Sequence, residues 1–347
     1  MCIRDRYHAA DGNRTSPITI SNYWIWKFLG TADIYEEWFH IGSTGTLATG
    51  EGYTMKGTDG TVDINARQNY VFKGKPHNGD FTRQVSQNQN YLVGNPYPSA
   101  IDAAEFILDN MKNVTYEGES GRNANNIFNG ALYYWDHFAG RTHYLQRYIG
   151  GYATWTLAGG VVAISNDERI LANDQKGTKA PGRYIPVAQG FFVNTVLDTA
   201  ISAATGITVS GGPIQFKNRQ RIYQREEGTS ESVFHSQEKK DAKNAVSQST
   251  TKQASEDTRQ KIWLKFRSPM GYHRQLLVTA DPNTSSGFDL GYDAPMIEDN
   301  DEDMYWYFSN YEFVIQAVED FNVDRELDLG MKVHEEGQIT ISIDELK

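Results

Sequence analysis

The run Asp299-Asn300-Asp301-Glu302-Asp303 sets aspartates at i, i+2 and i+4. Hard oxygen ligands gather round a calcium ion with this spacing in the first half of a calcium loop. The run then departs from an EF-hand. Its sixth position is Met304 where the sharp turn needs Gly, and its twelfth is Asn310 where a bidentate Glu is needed. An EF-hand is therefore excluded on pattern. Two readings remain: a non-EF calcium site on Asp299, Asp301 and Asp303, helped by Asp289 and Asp293, or a solvated acidic loop. The neighbouring Asp281-Pro282-Asn283-Thr284-Ser285-Ser286-Gly287 is a loop by composition; it could join a metal or sugar site, and its plainer reading is a turn.

Aromatic residues supply a second kind of chemistry. Tyr134, Trp135 and Trp155 lie in alternating strand-like runs. An exposed Trp or Tyr face could stack on a sugar ring. The plainer reading makes such residues half core and half cross-strand pairs. Nucleophilic and phosphate chemistry find less support. The eight histidines include no H-E-x-x-H pair, there is no Gly-x-Ser-x-Gly elbow, and Gly74-Lys75 runs into Pro76 instead of completing a phosphate loop. A glycoside hydrolase needs two carboxylates about 5–10 Å apart across a cleft, whereas the acidic residues here crowd into one loop-like run. The only cysteine is Cys2, so neither a disulfide framework nor a cysteine zinc site is available.

The net charge of −11 is unevenly placed: Asp281–Lys347 alone carries 18 acidic and 3 basic residues. With no basic stripe to neutralise phosphates, a nucleic-acid partner is not expected. No apolar run approaches the length of a membrane span.

The elements that must position these residues read as all-β, mainly, with antiparallel β-sandwich units and one short helix near 99–111. Gly94-Asn95-Pro96-Tyr97-Pro98-Ser99 must end the strand pattern at Gln89–Val93, because two prolines fit neither a helix interior nor a central strand. A helix over Ser99–Met111 then follows, with Ser99 as its N-cap and Ile101, Ala104, Ile107 and Leu108 on one face. Thr58-Asp59-Gly60-Thr61 and Asn78-Gly79 carry turn chemistry between alternating runs. The strand spacing suits a sandwich.

Four stretches are expected. Residues 1–16 are a disordered or artefactual N-terminus, of which Met1–Arg6 resembles translated sequencing adapter. Residues 17–223 form a β-sandwich-like domain. Residues 224–260, rich in Gln, Glu, Ser, Thr and Lys, bury too little apolar surface to offset chain entropy and read as a disordered linker or long loop. Residues 261–347 form a second, acidic β-unit that reads as truncated at its C-terminus.

Several motifs follow one another in a recognisable order. They are Gly50-Glu51-Gly52-Tyr53-Thr54-Met55-Lys56-Gly57, Phe72–Asp80, Leu92–Asp102, Asn129–Trp135, Ile185–Val193, Tyr272–Leu277 and Gly287–Ala294. Together they resemble the C-terminal β-rich region of large, adhesin-like secreted proteins exported by the type IX secretion system. The resemblance implies a non-catalytic structural or adhesive module on the outer-membrane surface of a Gram-negative bacterium or outside the cell. Its partners would be surface glycans or other extracellular proteins, and a sorting domain would follow downstream. It transfers no catalytic residue and no certain cofactor; Ca2+ enters only through the aspartate run. The alternative is a carbohydrate-binding module of a secreted glycan-degrading enzyme, with Tyr134, Trp135 and Trp155 as its contacts.

Overall fold

The computed structural model describes residues 22–30, 37–55, 75–139, 149–165, 180–224 and 257–347. Strand accounts for 41% and helix for 9%, so the fold class is mainly β, as the alternation implies. The turn at Thr58–Thr61 lies outside the described residues, as do residues 1–16 and most of the expected linker.

The chain begins with β1 (Trp26–Gly30), β2 (Trp38–His40), β3 (Phe81–Val85), β4 (Asn90–Gly94) and β5 (Ala100–Asp102), which leads into helix α1 (Ala103–Asn110). Next come β6 (Thr115–Tyr116), β7 (Glu119–Ser120), β8 (Leu132–Ala139), β9 (Ile149–Thr156), β10 (Gly159–Val161), β11 (Tyr184–Ile185) and β12 (Gly190–Asn194). Helix α2 (Thr199–Thr205), β13 (Gly212–Phe216) and β14 (Arg221–Ile222) complete this part. A seven-stranded antiparallel sheet runs in the order β10-β9-β8-β12-β4-β1-β2. Its central strand β12 shows period-two burial: Phe191 and Val193 are fully buried, while Phe192 between them faces the other way and is half-buried.

Helix α1 covers the inward face of this sheet. Phe106, Ile107 and Leu108 are buried, each contributing about 1.5–3 kcal/mol by leaving water. The Phe106 ring meets Phe191 edge-on, with centroids 5.5 Å apart. The helix starts three residues later than expected, its cap being Asp102 rather than Ser99. Strand pairing explains the shift: Ala100–Asp102 lies between β11 and β14, and that ladder competes successfully with the first helical turn. The Asp102 carboxylate then accepts the Ala104 and Glu105 N–H groups. Helix α2 lies in a stretch where no element was expected, although its Asp198 cap and its left-handed Gly206 stop are both written in the sequence.

The acidic part holds β15 (Lys261–Arg267), β16 (His273–Ala280), β17 (Ala294–Pro295), β18 (Asp303–Phe308), β19 (Tyr311–Val318), β20 (Leu329–Lys332) and β21 (Thr340–Leu346). They form a second large sheet in the order β20-β18-β19-β16-β15-β21, with β17 added beside β19. One pair, β16 with β19, is parallel; the rest are antiparallel.

Buried apolar residues of both parts form one continuous cluster, from Val85 through Trp155 to Leu277 and Val318. The β9–β10 turn explains how the parts dock. Its carbonyls are buried and need donors, and they take them from the acidic part. Ala158 O accepts from Lys261 Nζ (2.7 Å) and Thr279 Oγ1 (2.9 Å), Leu157 O from Arg259 (2.8 Å), and Gly160 O from Trp263 Nε1 (3.0 Å). Arg259 and Asp257 fall in the stretch whose composition reads as linker, yet Arg259 is anchored by Asp257 and Asp281. Composition undervalues charged residues that are consumed as ion pairs. Among the described residues, no helix is long and apolar enough to cross a membrane.

Candidate functional site

The aspartate run is dispersed by the strand that it enters. Asp299 is exposed and pairs with Lys332 at 2.6 Å. Asp301 is exposed as well. Asp303, the first residue of β18, is buried and holds Arg274 through both oxygens, at 2.8 and 2.7 Å. The residue between them does different work. Glu302 is fully buried and accepts the backbone N–H groups of Met270 (2.8 Å), His334 (3.0 Å) and Glu335 (2.9 Å). Burial opposes its charge, but the Ser268 side chain and these donors outweigh burial and hold its carboxyl at about 2. The run is a structural junction that ties two loops to β18.

Asp293 is also buried. It accepts Ala317 N (2.7 Å) on one oxygen and Asp289 N (2.6 Å) on the other. Burial, with the nearby Asp289 charge, pushes its carboxyl well above the ordinary carboxylate range. Asp289 itself accepts the Ser285 N–H and hydroxyl. Among the described residues no group of three or more His, Cys, Asp or Glu is arranged to hold a metal ion. The five aspartates of the calcium reading are not brought together.

The aromatic trio is divided by strand alternation. Tyr134 and Trp155 are buried in the core. Trp135 points to the other face of β8 and is 44% exposed. It meets Tyr152, its cross-strand partner on β9, edge-on at 5.2 Å. Tyr152 touches Phe192 at 5.6 Å, and Phe192 touches Phe28 at 5.6 Å. One aromatic row therefore crosses the sheet face, and Trp135 is its exposed end.

A concave feature lies elsewhere among the described residues. A cleft of about 370 Å³ opens between the loop after α1 (112–115), the turn at 125–126, the stretch after α2 (205–210) and the acidic-part loop at 283–292. This volume lies in the range of small-molecule sites, about 300–1,000 Å³. Local chemistry shapes it. Gly206 adopts φ +70°, closes α2 with an N–H to Ser202 O, and turns the chain along one wall. Asn126 clamps two walls by accepting Lys112 N (3.0 Å) and donating to Thr208 O (3.2 Å). Tyr292, at the base, donates to Thr115 O at 2.5 Å.

Amides and hydroxyls dominate the lining. The side chains of Asn113, Asn125, Thr115 and Thr208 line the cleft and have no hydrogen-bond partner among the described residues. One ammonium, Lys112, and one carboxylate, Asp289, balance each other there. Of the sequence-based site readings, Asp289 and, from the Asp281–Gly287 loop, Asn283 lie in the cleft; the other asparagines and the threonines were missed. Their signal, Asn123-Ala124-Asn125-Asn126 and Thr205-Gly206-Ile207-Thr208, is indistinguishable from ordinary turn composition.

A family match covers residues 8–347, nearly the whole chain, and its description is "Domain of unknown function (DUF8693)". The chain belongs to the DUF8693 family. Comparison with curated proteins and with solved structures found no match. In this DUF8693 chain the cleft walls come from both the part before residue 224 and the part after 257, so the site depends on the docking of the two.

Proposed function

We propose that this chain is a non-catalytic adhesive module of a secreted or cell-surface bacterial protein, and that its cleft holds a neutral glycan. The observation that carries the reading is the set of uncommitted amide and hydroxyl groups, Asn113, Asn125, Thr115 and Thr208, lining a cleft between the two docked parts. Such groups recognise neutral hydroxyls by exchanging hydrogen bonds with them, and the balanced Lys112 and Asp289 leave no excess charge to select an ion. The ordered motifs from Gly50 to Ala294, similar to type IX cargo, support a surface location for the parent protein.

A second reading is favoured by Trp135. Its exposed indole on a rigid sheet face suits stacking on a sugar ring, as in a carbohydrate-binding module of a glycan-degrading enzyme. One experiment separates the two. The purified chain is screened on a glycan array, and any hit is titrated against Asn113→Ala, Asn125→Ala and Trp135→Ala. The cleft reading expects about tenfold or greater weakening in each asparagine variant and little change in Trp135→Ala. The reverse pattern transfers the site to the sheet face. Absence of any glycan hit overturns both, and release of reducing sugar from a bound glycan overturns the non-catalytic assignment.

A further inference from the structure

The chain contains two Asn-Gly pairs, Asn78-Gly79 and Asn129-Gly130. In such a pair the glycine nitrogen can attack Cγ of the asparagine side chain, because no Cβ shields that nitrogen and the backbone turns freely. The fold treats the two pairs oppositely. Asn129 is buried; its amide donates to the Tyr133 hydroxyl (3.0 Å) and its oxygen accepts Ala131 N (3.1 Å). Gly130 presses on Gly291, so closely that a Cβ would come within 2.4 Å of the Gly291 Cα. That pair is locked.

Asn78 is exposed, and Gly79, at φ +101°, has open space where a Cβ would stand. The Gly79 N–H donates to Asn218 Oδ1 (3.1 Å). Arg221 Nη1 donates to Asn78 Oδ1 (2.8 Å) and to the same Asn218 Oδ1 (3.2 Å). The attacking nitrogen and the attacked amide are thus tied to one pair of residues, which favours their meeting. Both residues are fixed in turn. Asn218 N donates to Asp80 at 2.7 Å. Arg221 is held by Ser99 Oγ at 3.1 Å and lies over the Tyr97 ring at 5.2 Å. Its charge therefore stands ready at the oxygen on which negative charge develops.

We infer that Asn78-Gly79 is a self-modifying site, at which Gly79 N attacks Asn78 Cγ with Arg221 as the oxyanion donor. The N–Cγ bond forms, the Gly79 N–H proton passes through solvent to the departing amide nitrogen, and ammonia leaves. The resulting succinimide takes up one water at either carbonyl and opens to aspartate or isoaspartate. No oxidant or reductant is involved. The product carboxylate stays beside Arg221, so an ion pair replaces the hydrogen bond to the amide. Two effects of Arg221 oppose each other. An exposed contact of this kind restrains a side chain only a few-fold. A preorganised oxyanion donor is worth about 100–1,000-fold in a water-excluded site, and at this exposed position a net acceleration of about tenfold remains. The site is separate from the cleft and does not depend on the glycan reading.

The test incubates the full, folded chain in heavy-oxygen water near neutral pH. Positions 78 and 129 are followed by peptide mass spectrometry, with fragmentation that separates aspartate from isoaspartate. A synthetic peptide of residues 75–83 gives the rate without the fold. The expected result is isoaspartate and aspartate at position 78, both carrying heavy oxygen, formed about tenfold faster than in the peptide. Asn129 should stay intact. Arg221→Met should slow the reaction about tenfold and Arg221→Lys less, with thermal midpoints confirming that both variants fold. The comparison of the folded chain with the peptide needs no variant. Conversion slower in the folded chain than in the peptide would show that the fold protects the amide, and would overturn the inference. So would a rate unchanged or raised by Arg221→Met in a folded protein, or aspartate formed without isoaspartate, which is direct hydrolysis.

Discussion

Lys261 Nζ donates to the carbonyl oxygen of Ala158 across 2.7 Å, although 103 residues separate them in the chain. Both residues are buried. The same ammonium reaches Asp257 at 2.7 Å, so a cation of the acidic part satisfies a turn of the other part. Burial, together with the neighbouring Arg259, pulls the Lys261 pKa below its ordinary value.

Lys261→Met should cost about 2–4 kcal/mol, since it leaves the Ala158 carbonyl with one donor fewer and removes one partner of Asp257. Urea unfolding followed by fluorescence and by circular dichroism gives the number. Because one apolar cluster spans both parts, the two signals should trace a single coincident transition. Two separated transitions would show that the parts unfold independently.

Arg274 and Asp303 form a bidentate pair inside the second sheet, with Glu298 reaching the same guanidinium at 3.4 Å. Asp303→Asn should cost about 3–5 kcal/mol, because it strands a buried charge. The double variant Arg274→Met/Asp303→Leu should recover part of that loss, since no unpaired guanidinium remains and the Glu298 carboxylate, though it loses Arg274, keeps the Tyr152 N–H at 2.8 Å. Chemical denaturation of the three proteins decides it; a double variant as unstable as the single one would contradict the account.

Glu302 makes stability depend on pH. Its folded value, about 2, lies below the ordinary glutamate value of about 4.3. The stabilisation is therefore fully present above about pH 4.3 and is lost as pH falls toward 2. Thermal midpoints should drop across this window, and Glu302→Gln should flatten that part of the curve while lowering the midpoint at neutral pH. An unchanged acid limb in the variant would assign the drop to other carboxylates.

Calcium should have little effect on unfolding. Asp299 is paired with Lys332, Asp303 with Arg274, and Asp293 with two backbone N–H groups. Replacing calcium by a chelator at constant ionic strength should leave the midpoint within about 1 °C, as expected when nothing binds the native state preferentially. A rise of several degrees with calcium would restore a metal site near residues 299–303.

Several of these features were legible in the chain itself. The proline corner at Gly94–Ser99 ends β4, as its local chemistry dictates, but the chain passes through β5 before α1 begins. The second helix was legible too, through Asp198 and Gly206, although its short apolar content hid it between two strand-like runs. At Asp299–Asp303 the i, i+2, i+4 spacing gathers side chains around an ion only when they converge on one point; here the chain bends at 301–302 and enters β18, and Asp299 turns to Lys332 while Asp303 turns to Arg274.

Local periodicity and turn chemistry, which act between residues a few positions apart, were enough to determine a mainly β protein. Tertiary structure alone decided which carboxylates serve as fasteners, which of Tyr134, Trp135 and Trp155 meets water, and where a cleft arises. Those outcomes depend on contacts between strands about a hundred residues apart, such as β10 packed against β15 and β16 of the other sheet. A chain's own pattern names the faces of its strands but not the partners that cover them.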